Sequence, residues 1–451
     1  MSSVHVEPVI AGAARETWLG GSLKAFREDP LALLCELHRA SGDVAKFRLG
    51  PKKLYAVFNP DMLKEIMVTK AEAFCKGGTF AEIKRLTGEG LVLSEGELHK
   101  KQRRLIQPKL TRSHINRYAE QMVASTLAHL ETWGDGQERD LAVDMMKITF
   151  DIIARTMFSY DSKHAQDQIA RAFDSINHIA TRKIRALVKL PLFIPTNENR
   201  EYIQALRVLD DTVYGLIRQR KAESSLERED LLSVLMRATD ESSQEGMSDE
   251  QLRDEIMSMF LAGHETTAHS LTWTYDYILQ NPNVEEKLMN EWKHVLNGRR
   301  PTVNDYPALT YTQNVIWETL RLRPSGYVTS RTALQDVEIG SLQLIKGDTV
   351  MISPYPLHTS ERYFDDPLTF RPERFEQDRM KELPQMAYFP FGAGPRSCVG
   401  QHFAMLEMVL ILASIGQQYR IKRSSTQGAL IPEALLTLSP KGGLRATVHR
   451  L

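Results

Sequence analysis

Phe391-Gly392-Ala393-Gly394-Pro395-Arg396-Ser397-Cys398-Val399-Gly400 runs straight into an apolar segment that begins near Gln401 and continues through Leu412. That segment predicts a helix, which places a single cysteine just before a helix N-terminus. There the free backbone N–H groups and the helix dipole favour thiolate over thiol, the form that ligates a metal. The flanking residues suit the same task. Gly394 permits a backbone conformation closed to other residues, and Gly400 lets the chain approach a flat cofactor face. Phe391 can cover the sulfur, and Arg396 presents a fork of donors for a carboxylate. A cysteine beside a glycine-rich turn is ordinarily a buried structural residue. Cys35 and Cys75, which lack such surroundings, read that way. The convergence of so many requirements in one short loop argues otherwise for Cys398.

Outward from this loop, Ser248-Asp249-Glu250-Gln251 is a capping-box signature, and the helix it opens can run without proline to about Gln280. At ~1.5 Å per residue it spans on the order of 50 Å, enough to cross the molecule. Midway lies Ala262-Gly263-His264-Glu265-Thr266-Thr267. Ala262 and Gly263 leave room for a ligand, and Gly and Thr together loosen the hydrogen-bond ladder so that water can enter. A Glu-Thr-Thr run is usually a solvated face. The apolar flanks, Met259 to Leu261 and Leu271 to Trp273, point instead to the interior, where an acid beside an alcohol can pass protons.

Glu318 and Arg321 share one face of a helix expected over Tyr311 to Leu322 and stopped by Pro324. Alone, such a pair is a surface ion pair. From Pro60 to Asn297 apolar residues recur at helical spacing, as in Leu141, Met145, Ile148, Ile152 and Met157. Strand patterns are confined to Gly42 to Asn59, Thr332 to Ser353 and Leu435 to Val448. The fold expected is mainly α with a small β region.

Lys plus Arg and Asp plus Glu balance at 57 each, so no net field favours nucleic acid or an anionic membrane. With 42% hydrophobic residues across 451 positions the chain can bury a large core. Three scattered cysteines form neither a disulfide framework nor a zinc pattern, which fits a reducing cytoplasm. Met1 to Trp18 contains no long apolar run, so neither a secretory signal nor a membrane anchor is expected.

The pattern F-x-x-G-x-R-x-C-x-G is met at every fixed position, and on it the chain resembles the cytochromes P450. The resemblance extends from about residue 30 to the C-terminus and is strongest toward the haem domains of bacterial fatty-acid hydroxylases. It implies heme b (iron protoporphyrin IX) ligated by Cys398, a large helical body with the long central helix over the haem, and small antiparallel sheets. It also implies that Thr266 is the hydroxyl of the oxygen-activation site and that Glu265 is the acid feeding it protons. Glu318 and Arg321, with Arg374 of Phe370-Arg371-Pro372-Glu373-Arg374-Phe375, would form a folding and haem-retention triad. His99, Arg103 and Arg331 would contact the haem propionates.

By the same comparison the substrate would face Val92, Leu93, Phe260, Ala262, Gly326, Tyr327, Val328 and Leu436, nearly all apolar, which suits a hydrophobic molecule. The segment Thr181 to Thr196, with Arg182, Lys183, Arg185 and Lys189 among apolar residues, would lie over the substrate channel. It could hold a carboxylate, touch a membrane, or be an amphipathic helix end. The activity implied is monooxygenation of a fatty acid, or else a steroid or terpenoid. One haem domain over 1–451, cytoplasmic and monomeric, would draw electrons from a separate ferredoxin or flavodoxin with its reductase, because no flavin or nicotinamide segment follows. Two alternatives stand beside it. A peroxide-driven hydroxylase or isomerase would have no need of the Glu265–Thr266 pair, and a haem sensor would need an output domain.

Overall fold

The computed structural model describes residues 20–77, 81–161, 166–186, 190–223, 228, 230–238, 246–376 and 379–451. The reading of Met1 to Trp18, and Leu187 to Lys189 within the segment over the channel, fall outside them.

Helices dominate because most of the chain carries apolar residues at three and four spacings. The helix after the cysteine, Gln401–Gly416, is apolar on all faces from Met408 to Ile415 and is buried there on every side. It packs against Ala119–Leu130 and Thr310–Leu322, and with the long central helix it forms the main core.

That central helix runs as Asp249–Phe260, a π-helical turn Leu261–Glu265, and Thr266–Gln280. Ser248 caps it as expected: its hydroxyl accepts from Gln251 N–H at 3.2 Å, and Gln251 Oε1 accepts from Ser248 N–H at 2.9 Å. Three of its buried hydroxyls are satisfied within the helix. Ser270, Thr272 and Thr274 each donate to the carbonyl four residues earlier, at 2.8, 2.8 and 2.7 Å. A run of Ser and Thr can thus lie in the interior without water.

The sheets are small. Val44–Leu49 pairs with Lys52–Val57, which pairs with Thr349–Ile352, then Thr329–Ala333 and Phe74–Cys75. A second apolar cluster lies beneath these strands. The expectation of purely antiparallel sheets is corrected at one seam: Lys52–Val57 and Thr349–Ile352 run parallel, with Leu54 opposite Thr349. Nearly the whole helical body separates them in sequence, and so long a connection permits parallel pairing. Strands Gln137–Asp140 and Tyr419–Arg423, which no alternation announced, flank Arg445–Arg450. Among the described residues, no helix is long and apolar enough to cross a membrane.

Candidate active site

The cysteine loop is shaped by its neighbours. Gly394 has φ +68°, and a Cβ there would stand 1.9 Å from the Met67 carbonyl oxygen, so only glycine fits where this loop presses on Glu65–Thr69. Cys398 N–H donates to Phe391 O at 2.8 Å, and the Phe391 ring stands edge-on to Trp317 at 5.6 Å. Cys398 is exposed at the surface of a recess and surrounded by protein. A Cβ on Gly400 would meet nothing closer than the Cys398 sulfur, at 4.0 Å.

The thiol behaves differently from the expectation. Burial pushes its pKa up, and the opposing Gly400 N–H and Arg103 charge do not reverse this. Position at a helix start is too weak to make the thiolate here, so ionisation must come with a metal's own charge.

Around the loop the fold gathers cations. Arg396 donates to Ser94 O at 2.6 Å and pairs with Glu95. Arg331, buried on Thr329–Ala333, donates to Ser330 O at 2.8 Å. His99 is buried on Gly96–Ile106. To these the structure adds Lys76, which no motif announced, with its Nζ on Val92 O.

Burial, and then their neighbours' positive charge, holds these groups below their ordinary values: Lys76 at about 7, His99 at about 4 and Arg331 at about 10. Such a buried surplus of positive charge is costly alone. It fits a flat cofactor carrying two carboxylates, with Cys398 as the metal's ligand, so the residues present fit haem.

Arg103 lies against the cysteine loop. It donates to Pro395 O at 2.8 Å, Ser397 O at 2.9 Å and Ser397 Oγ at 3.2 Å. Those donors brace the cysteine loop.

On the central helix the π-helical turn releases carbonyls from the regular ladder, and hydroxyls take them up. Thr266 Oγ1 donates to Ala262 O at 2.7 Å, Thr267 Oγ1 to Gly263 O at 3.0 Å and Thr149 Oγ1 to His264 O at 3.1 Å. Ala262 is exposed between half-buried Leu261 and Gly263. Gly263 does not make room for a ligand. A Cβ there would stand 2.7 Å from Ile153 Cδ1, so its role is close packing against Leu141–Phe158. Glu265 is buried, and its pKa is pushed up to about 7 by burial against the donors it accepts from. Those donors are Asn177 Nδ2 at 2.5 Å and Thr437 Oγ1 at 2.6 Å. Sequence carries no signal for either, since each meets Glu265 across a long stretch of chain.

Of the pocket residues, two face elsewhere. Phe260 is wedged between Phe150 and Phe158, at ring distances of 5.3 and 4.7 Å, because the helix turns that position toward Leu141–Phe158. Tyr327 packs with Leu31, Ala434 and Leu438, and its hydroxyl donates to Leu435 O at 3.0 Å. Gly326 is open, Val92, Val328 and Leu436 are half-buried, and Leu93 is buried.

Glu318, Arg321 and Arg374 come together. Arg321 grips Glu318 with two bonds of 2.7 Å, and Arg374 Nε stands 3.3 Å from Glu318 Oε1. Arg371 N–H donates to the same oxygen at 2.9 Å.

A family model described as Cytochrome P450 matches residues 12–445. Cyclooctatin synthase of Streptomyces melanosporofaciens is 35% identical over 94% of this chain and 92% of its own length. Pentalenene oxygenase of Streptomyces avermitilis is 32% identical over 87% of each. The crystal structure of the cytochrome P450DA heme domain superposes with a TM-score of 0.84 at 25% identity, covering 93% of both chains.

Proposed function

This chain belongs to the cytochrome P450 family and is a haem-thiolate monooxygenase, and from that premise we propose that it inserts one oxygen atom of O2 into a cyclic terpene hydrocarbon or terpenoid. Haem, when bound, supplies the oxygen-activating redox chemistry, with the thiolate assisting O–O cleavage. The chain's own contributions are distinct. Cys398 offers the sulfur. Lys76, Arg331 and Arg396 would neutralise the carboxylates, His99 would offer a ring N–H beside them, and together they would fix the cofactor's orientation. Thr266 presents a hydroxyl on the open side of the central helix, and Glu265 holds a proton near neutral pH that it can release toward that hydroxyl.

The observation that carries the substrate class is the fate of the basic residues over the channel. Arg182 lies 3.6 Å from Glu198, Lys183 donates to Asn199 Oδ1 at 2.6 Å, and Arg185 donates to Ala434 O and shares bonds with Arg27. Each has a protein partner, which leaves the described part of this segment poorly suited to grip a fatty-acid carboxylate. An uncharged apolar skeleton suits it better, bound by area more than by charge. The two Streptomyces relatives, cyclooctatin synthase and pentalenene oxygenase, support the same reading over the fatty-acid one.

Electrons would come from a ferredoxin or flavodoxin with its reductase. Exposed Arg104, next to the Arg103 that braces the cysteine loop, and exposed Arg112, whose charge is felt by His402, suit an acidic partner.

The test is a spectral titration of the haem-loaded protein with pentalenene and other cyclic terpene hydrocarbons against a saturated long-chain fatty acid. Turnover products are then weighed by gas chromatography with mass detection. A Soret shift and a product one oxygen heavier with the hydrocarbons support the reading. Response to the fatty acid alone overturns it.

A further inference from the structure

Glu265 is one residue from Thr266, yet no hydrogen bond joins their side chains among the described residues. Its carboxylate is held instead by two neutral donors from remote elements. Asn177 belongs to Gln166–Arg185, and Thr437 to the turn between Ile431–Ala434 and Leu438–Lys441. Both converge on Oε1, at 2.5 and 2.6 Å.

The network defines its own polarity. Leu436 N–H donates to Asn177 Oδ1 at 3.1 Å, so the amide must turn its Nδ2 toward Glu265. Thr437 Oγ1 has its one proton on Glu265, so it accepts from His269 Nδ1 at 3.0 Å. His269 therefore carries its proton on Nδ1, and a donor chain runs from His269 through Thr437 to Glu265.

On the reading of this chain as a P450 monooxygenase, we infer that Asn177 and Thr437 are positioning residues for the acid: they hold Glu265 off the Thr266 hydroxyl, so that its availability to the proton relay depends on how helix Gln166–Arg185 and the last hairpin sit on the central helix.

Charge around the carboxyl does not do this work. Asp174 and His178 face it from Gln166–Arg185 and pull its affinity for a proton in opposite directions. On its own helix, His269 and His264 are held down to about 3 and about 4 by burial, and are neutral at ordinary pH. Burial favours the protonated acid, and the two donors favour the carboxylate. Removing a donor therefore raises the pH at which Glu265 ionises.

The experiment is infrared difference spectroscopy on the haem-loaded full chain. Spectra of Glu265→Gln are subtracted to isolate the protonated carboxyl band, which is followed across neutral pH. In the unmodified protein the band should disappear with a midpoint of about 7. Asn177→Leu and Thr437→Val should each move that midpoint up by about one unit, the order expected for one hydrogen bond to a charged group. The band should also move to higher frequency, because the carboxyl oxygen has lost a donor. Thr437→Ser, which keeps the hydroxyl, should leave both unchanged. Midpoints and frequencies unmoved in the variants would overturn the inference. If Asn177→Leu fails to fold, the Val and Ser replacements at Thr437 decide alone. The reduced carbon monoxide spectrum separates the two levels: loss of the thiolate band in the unmodified protein would sink the family reading itself. A retained thiolate band with an unmoved carboxyl sinks only the role of Asn177 and Thr437.

Discussion

Replacing Arg321 by Met keeps most of the side-chain volume while removing the charge and every donor. In the folded protein Arg321 and Glu318 are both fully buried, and Arg321 makes two 2.7 Å bonds to Glu318. It also donates to His358 O at 2.7 Å, Pro367 O at 2.6 Å and Thr369 O at 3.3 Å. The variant leaves Glu318 in the interior, facing only Arg374 at 3.3 Å and the Arg371 N–H at 2.9 Å. Breaking a buried ion pair from one side costs about 3–5 kcal/mol. The three abandoned carbonyls add to this, each by ~1 kcal/mol or more if no water reaches it. These terms are not additive, so about 4 kcal/mol is a working figure. Against a typical total of ~5–15 kcal/mol, that would leave little stability.

Urea unfolding followed by far-UV circular dichroism, with the reduced carbon monoxide band reporting bound haem, measures the loss. The double variant Glu318→Gln with Arg321→Met separates its causes. If the stranded carboxylate dominates, the double variant recovers at least ~1 kcal/mol over Arg321→Met alone. An Arg321→Met protein within ~1 kcal/mol of the parent would refute the reasoning, because a pair so placed cannot be a surface ornament.

Thr266→Ala should keep haem content while diverting reducing equivalents to hydrogen peroxide, read as product formed per NAD(P)H consumed; unchanged coupling would remove Thr266 from the mechanism. Because Glu265 acts as an acid with a pKa of about 7, product formation should fall as pH rises through that value and become flat there in Glu265→Gln; an identical pH profile in the variant would contradict that role. Gly263→Ala forces a methyl against Ile153 and should cost about 1–3 kcal/mol, largely restored by adding Ile153→Ala; a neutral single variant would mean that the two helices can part freely. Gly394→Ala meets backbone rather than a flexible side chain and should lower haem content, measured by the pyridine haemochrome; full retention would show that the loop can shift off Met67.

The cysteine loop, the capped central helix and the Glu318/Arg321 helix were all legible because each is local. A cap needs its partner three residues away, and a helix start needs only the chain that follows it. The strands were legible where alternation was regular, at Val44–Leu49 and Lys52–Val57, and illegible at Gln137–Asp140, which is a strand only by its pairing with Arg445–Arg450. Resemblance to a known pattern placed Phe260 and Tyr327 in the pocket, but helix phase and a tyrosine hydroxyl seeking a carbonyl turned them away.

What the chain determined by itself is therefore the chemistry available: one cysteine in a loop that only glycine can shape, and an acid beside an alcohol on a helix whose flanks are apolar. What only the tertiary structure decided is the state of those groups. Burial sends the Cys398 thiol up, burial and then crowded cations send Lys76 and His99 down, and donors from distant helix and hairpin fix Glu265. Proton affinity depends on the medium and charges within a few ångströms, and those are assembled from residues the sequence keeps far apart.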